Sequence, residues 1–299
     1  MSQESFRLAD PVQPEVPTSV RTPRRALSAS SLNAYATCER KWYFRYVCNV
    51  VDDPGSSAAS YGTAFHEALE AFHKVYMRPN PAEETAMRRD LAAQLDRVFA
   101  DPDAKFSHAV ERELQRRRAI RTAERYIDWL LAEARLHPFT VVGCEAHAPL
   151  AIDGYDFTGY IDRIDRDDTT GDVTIYDYKT GSIAESAKEY LTDVRAGTEF
   201  QLPFYYYARS QSGEKVVRLS LIPLKDSLTP VRPVAIEITP LVEKDLDKAR
   251  TRMGKLAATL IEGSQDVYRV ATDPDACTYC AYTLSCRNRP VPADEKFGR

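Results

Sequence analysis

Gly159-Tyr160-Ile161-Asp162-Arg163-Ile164-Asp165, the polar run Asp167-Asp168-Thr169-Thr170-Gly171-Asp172, and Ile175-Tyr176-Asp177-Tyr178-Lys179-Thr180 form the stretch whose reading decides the fold. Residues 157–164 and 172–179 are rich in Ile, Val, Tyr and Thr, and the Asp, Thr and Gly between them carry hairpin turn chemistry, so two paired strands are expected. Side chains at i and i+2 share a strand face. Asp177 and Lys179 therefore point one way and Tyr178 the other, and pairing across the hairpin brings Asp162 beside them. Gln201 and Tyr205 follow at i, i+4 on a helix expected over 199–210.

Two carboxylates and an ammonium in one pocket suit a divalent metal, with Lys179 left to orient water or meet developing negative charge. Each residue also has a plain structural reading: Asp177 and Lys179 as an exposed ion pair, Asp162 as a turn acid, Gln201 and Tyr205 as a helix surface pair. Their order and spacing alongside a histidine and a cysteine set favour the chemical reading. The histidine is His66 in Tyr61-Gly62-Thr63-Ala64-Phe65-His66-Glu67-Ala68-Leu69-Glu70, on a predicted helix. His66, Glu70 and His73 share a helix face and form a rival metal set. Glu145 and His147, two apart on a predicted strand, read as an outward pair.

Four of the six cysteines are Cys38 and the cluster Cys277, Cys280 and Cys286; Cys48 and Cys144 read as buried thiols. Cys277-x-x-Cys280 has metal-ligand spacing, and four thiolates suit zinc or an iron–sulfur cluster. No charged segment followed by an apolar run opens the chain, which argues against a secreted, disulfide-forming fate.

Taken together, the chain resembles PD-(D/E)XK nucleases of the RecB/AddB type and the CRISPR-adaptation exonucleases that share an iron–sulfur staple. The opening Leu27-Ser28-Ala29-Ser30-Ser31-Leu32-Asn33-Ala34-Tyr35-Ala36-Thr37-Cys38 resembles that family's first helix, with Glu39 where the family usually has proline. The resemblance implies a metal-dependent deoxyribonuclease, an exonuclease on single strands or DNA ends in repair or recombination. It makes His66, Asp162, Asp177 and the Tyr178 carbonyl ligands for Mg²⁺ or Mn²⁺, and Lys179 the catalytic lysine. Gln201 and Tyr205 match the family's Q-x-x-x-Y helix. Cys38, Cys277, Cys280 and Cys286 match ligands of a [4Fe–4S] cluster, with zinc the lesser alternative. The partners it implies are DNA, a helicase or CRISPR-adaptation proteins.

Composition fits a cytoplasmic globular enzyme: 299 residues, 43% hydrophobic and 28% charged, with no membrane-length apolar run. A net charge of −4 gives no global attraction to nucleic acid. A local patch exists at Arg117, Arg121 and Arg125, which share a helix face and suit a phosphate track, or pair with neighbouring glutamates on a solvated surface. No G-x-x-x-x-G-K-[ST] phosphate loop is present, so the chain carries no ATP motor of its own.

Residues 1–26, with four prolines and few large apolar residues, read as a disordered leader, and 27–299 as one nuclease domain. Within it, helices are predicted at 28–48, 60–77, 83–100 and 107–136, making 27–136 a helical region. Residues 137–265 are expected to form a mixed central sheet flanked by helices, with strands at 139–145, 157–164, 172–179, 215–223 and 232–238 and a final helix at 240–263. Residues 266–290 form the cysteine-rich segment.

Overall fold

The computed structural model describes residues 26–50, 57–101, 106, 108–225, 228–262, 268–278 and 280–286. Its helical half holds α1 (Ala29–Thr37), α2 (Glu39–Trp42), a π-helical turn (Tyr43–Val47), α3 (Ser57–Val75), α4 (Glu84–Phe99) and α5 (Ala109–Leu136). Then come β1 (Phe139–His147), β2 (Leu150–Ile152), β3 (Tyr155–Phe157), β4 (Tyr160–Asp167), β5 (Val173–Lys179), α6 (Ala187–Ala196) and α7 (Gln201–Ser210). The chain continues through β6 (Val216–Pro223), β7 (Val234–Glu237), α8 (Pro240–Glu262) and α9 (Asp275–Thr278). Five strands make one mixed sheet in the order β1-β4-β5-β6-β7. Only β5 and β6 pair in parallel, and α6 and α7 supply the crossover that a parallel step requires. The α/β sheet with flanking helices is thus the architecture the sequence predicts.

The β4–β5 turn forms as its residues dictate. Asp167 Oδ1 accepts from the amides of Thr169 and Thr170 at 2.8 and 2.7 Å, and Gly171 takes the left-handed conformation with φ of 75°. One face of the sheet packs Ile164, Ile175 and Leu219 against α1 and α6–α8 through Leu32, Phe204 and Met253. The other packs Tyr176, Tyr178 and Ile222 against α3–α5 through Phe65, Leu91 and Leu130. By strand alternation, Asp177 and Lys179 lie on the side of Ile175, toward α7.

Several expectations need correction. The helix predicted over 28–48 breaks at Cys38, whose backbone is extended (φ −160°, ψ 112°), so this cysteine sits between two helices. Cys48 is exposed, because the chain leaves the helix there, whereas Cys144 is half-buried with its thiol pushed up to about 11 by burial. The strand predicted from 157 ends at Phe157 and restarts at Tyr160. Gly159 in the gap lies against α7, where a Cβ would come within 2.7 Å of Phe204 Cε1. The β2–β3 hairpin and α6 were not predicted. Apart from Ala26, the expected leader lies outside the described residues, as do parts of 266–290. No described helix is long and apolar enough to cross a membrane.

Candidate metal and lysine site

Helix α3 delivers His66. One turn earlier, Gly62 faces the end of β5 so closely that a Cβ would lie 2.9 Å from Thr180 Oγ1, so the absence of a side chain sets the helix-to-strand approach. His66 Nδ1 then stands 3.6 Å from Asp162 Oδ1 and 3.5 Å from Glu145 Oε1. These three residues offer ligand atoms within 4.8 Å of one another, the one such group of His, Cys, Asp and Glu among the described residues.

Register completes the cluster. Arg163 pairs with Tyr176, which puts Asp162 across from Asp177. Asp162 Oδ2 accepts from the Tyr178 amide at 2.6 Å. Asp177 is buried, and its Oδ2 forms an ion pair with Lys179 Nζ at 2.7 Å without meeting aligned hydrogen-bond geometry. Lys179 donates instead to Gln201 Oε1 at 2.7 Å, and Gln201 Nε2 donates to the Tyr205 hydroxyl at 2.9 Å. A buried carboxylate, Asp177, beside the His66–Glu145–Asp162 group is a donor set that fits a hard divalent cation.

The electrostatics fit as well. Burial, and then the neighbouring Asp177, push Asp162 up to about 7. Burial works against a charged His66, but Glu145, Asp162 and Asp177 overcome it and raise its pKa. Burial likewise opposes a charged Lys179, and Asp177 outweighs it, so the lysine pKa is raised. Lys179 is therefore an ammonium at neutral pH. It can donate hydrogen bonds and stabilise negative charge, and cannot act as a free-amine base.

The structure brings His66, Asp162, Asp177, Lys179, Gln201 and Tyr205 together. At Tyr178 the contact into the site is made by the amide, which donates to Asp162, while the side chain turns to the opposite layer and its hydroxyl lies 2.9 Å from that of Tyr126. The rival helix set does not form. Glu70 pairs with Lys74 at 2.7 Å, and His73 is buried with Nε2 2.6 Å from the Tyr126 hydroxyl. Glu145 is the residue the sequence reading misplaced. Its φ of 44° breaks the regular alternation of β1 and its carboxylate reaches His66, while His147 bonds Thr158 near the surface.

Under the sheet, Arg163 is fully buried and donates to the Asp165 carboxylate through Nε and Nη2, while its Nη1 donates to the Tyr126 hydroxyl at 2.7 Å. Burial alone would push His73 far below its usual range, so it is neutral there. This network braces the strand that carries Asp162. Arg117, Arg121 and Arg125 lie exposed along one face of α5, with Arg117 on Glu113 at 2.6 Å and Arg125 on Asp128 at 3.6 Å.

Cys38, Cys277, Cys280 and Cys286 line a single cavity, with Arg40 and Lys41 among its walls. The two chain regions are fastened around it. The Arg40 amide donates to the Arg269 carbonyl, and the Arg269 amide to Glu39 Oε2, each at 3.0 Å. Tyr43 stacks on Tyr268 at 4.4 Å, and the Tyr282 hydroxyl donates to the Val50 carbonyl at 2.9 Å. Four thiols around one cavity flanked by cations form a donor set suited to a thiolate-bound metal centre.

A mixed sheet whose two central strands carry paired aspartates and a lysine into one pocket has the architecture of a metal-dependent nuclease. The chain belongs to the PD-(D/E)XK nuclease superfamily, whose family model matches residues 26–287. Membership makes it a phosphodiester hydrolase that works with divalent metal. A search of the curated proteins finds no match to the chain. Among solved structures, it is similar to a Eubacterium rectale protein described as a candidate exonuclease, at 11% identity and a TM-score of 0.48 over 92% of this chain and 94% of that one. It is also similar to SSO0001, at 12% identity and a TM-score of 0.34 over 89% and 88%. Likenesses this distant carry nothing further about this chain.

Proposed function

We propose that the protein is a RecB/AddB-type DNA exonuclease acting on single strands or DNA ends, in repair or recombination. The observation that carries this reading is the ammonium of Lys179 placed between Asp177 and Gln201, beside the His66–Glu145–Asp162 group. His66, Asp162, Asp177 and the Tyr178 carbonyl, with Glu145 added by its position, would hold Mg²⁺ or Mn²⁺, which would supply Lewis acidity to the scissile phosphate and lower the pKa of a bound water. Lys179 orients that water or meets charge developing on the phosphoryl oxygens. Gln201 holds the lysine by accepting its hydrogen bond, and Tyr205 holds Gln201. Arg117, Arg121 and Arg125 offer phosphates a track along α5.

An end requirement follows if a strand must thread past the helical wall of α3–α5. A covalently closed single-stranded circle is expected to survive conditions that degrade the same molecule once linearised. Equal rates on both substrates would make the site an open endonuclease.

The cysteine cavity is read as a [4Fe–4S] site of structural role, joining the N-terminal helices to the C-terminal segment, with zinc the alternative. Anaerobically purified protein is expected to be brown, and Cys280→Ser to bleach it and lower its melting temperature. Colourless protein with stoichiometric zinc and no iron would reject the cluster. The same chemistry would serve a CRISPR-adaptation nuclease trimming spacer precursors, or an end-binding subunit whose helicase partner supplies the motor. In each case a cytoplasmic setting is proposed.

A further inference from the structure

Helix α7 begins at Gln201 with no side chain of its N-cap residue, Phe200, bonded to it. Its first amides are instead taken by side chains from three other places. The Phe200 amide donates to Asn33 Oδ1 at 2.9 Å, the Gln201 amide to Glu199 Oε1 at 2.7 Å, and the Leu202 amide to the Tyr190 hydroxyl at 3.1 Å. Asn33 also donates through Nδ2 to the same Glu199 oxygen, at 3.1 Å. Asn33 lies on α1, which is itself pinned at its start: the Leu27 amide donates to the Asp156 carbonyl at 3.0 Å, and the Thr158 amide to the Leu27 carbonyl at 2.8 Å.

We propose that Asn33 is a positioning residue, which with Glu199 forms a lock that fixes the start of α7 and so sets Gln201 against Lys179. The proposal rests on the reading of Lys179 as the working cation. Gln201 is the first residue of α7, where a helix is most prone to fray, and its side chain must place Oε1 on the lysine and Nε2 on Tyr205 together. A carboxylate at this position also suits the positive end of the helix dipole. Loss of the Asn33 amide leaves the Phe200 amide without its acceptor and Glu199 without one of its two donors. Gln201 then loses a fixed origin, and Lys179 loses the partner that aims it.

The chemistry of the lock allows a polarity test. Asn33→Asp keeps the acceptor for the Phe200 amide but sets one carboxylate against another. Glu199→Gln keeps an acceptor oxygen for both its donors, and in the double variant its amide can donate to the carboxylate introduced in place of Asn33. Asn33→Ala and Asn33→Asp are expected to lower kcat on linear DNA tenfold or more with KM within twofold. Asn33→Asp with Glu199→Gln should recover most of what Asn33→Asp alone loses. An independent readout is the Gln201 side-chain amide resonance in ¹⁵N-glutamine-labelled protein, which should shift in Asn33→Ala and return in the double variant. Wild-type kcat in both Asn33 variants, or a Gln201 resonance unmoved in Asn33→Ala, overturns the proposal. Wild-type protein that cleaves no DNA would refute the nuclease reading alone, and the resonance would still decide the lock.

Discussion

Lys179→Ala is expected to lower the rate of DNA cleavage on the order of a thousandfold or more, which corresponds to about 4 kcal/mol of barrier. The side chain is half-buried, carries its proton at neutral pH, and contacts a carboxylate and an amide oxygen at 2.7 Å each, so little reorganisation separates it from a reacting phosphate. Removing it takes away charge in the transition state and leaves the carboxylates in place. DNA affinity and the melting temperature measured with Mn²⁺ should therefore stay near wild type. Single-turnover cleavage on end-labelled DNA reads the first quantity, and filter binding and calorimetry read the others. Cleavage at the wild-type rate would remove Lys179 from the chemistry.

The second large effect has opposite signs for activity and stability. Asp162→Asn should abolish metal-dependent cleavage and, at pH 8 without metal, raise the melting temperature by several degrees. The sign follows from linkage. Burial and Asp177 raise Asp162 from its ordinary value to about 7, so the folded protein holds a proton that the unfolded chain releases. Such a group lowers stability progressively as pH rises from about 4 to about 7, and asparagine removes that penalty. At pH 5 the gain should be smaller, since only the lower part of that pH range has been crossed. Added Mn²⁺ should stabilise the wild type by mass action and leave the variant unchanged. Thermal scans at pH 5 and pH 8, with and without metal, test all four expectations; a variant less stable than wild type at pH 8 would refute the burial argument. Sites built for function commonly carry such a stability cost.

Much of this site was legible in the sequence because strand periodicity is rigid. A two-residue repeat puts Asp177 and Lys179 on one face and Tyr178 on the other, and hairpin pairing fixes Asp162 opposite Asp177. The i, i+4 spacing of Gln201 and Tyr205 puts them in contact for the same reason. Glu145 was illegible because its role depends on a left-handed backbone in mid-strand, which no side-chain pattern announces for a non-glycine residue. The breaks at Cys38 and at residues 158–159 depend on packing with the 268–269 segment and with Phe204, distant in the chain.

Other misses left a signal. Ser186-Ala187-Lys188-Glu189 opens α6 with a capping-box sequence: Ser186 Oγ accepts from the Glu189 amide at 3.2 Å, and Glu189 Oε2 reaches one residue before the cap, accepting from the Glu185 amide at 2.8 Å. Arg163 and Asp165, two apart on a strand with isoleucines at 161 and 164, pointed to a buried pair. The lock between Asn33 and Glu199 joins α1 to a turn far along the chain, and required the fold.

The most direct measurement is cleavage of end-labelled single-stranded and duplex DNA by the wild-type protein, with Mg²⁺ or Mn²⁺ and with the metal chelated. The predicted result is degradation from ends in the presence of either metal, and none with chelator or in Lys179→Ala. Intact DNA on every substrate from protein that binds Mn²⁺ at the site, or cleavage indifferent to the chelator, would contradict the assignment of this cluster as a metal-and-lysine nuclease centre.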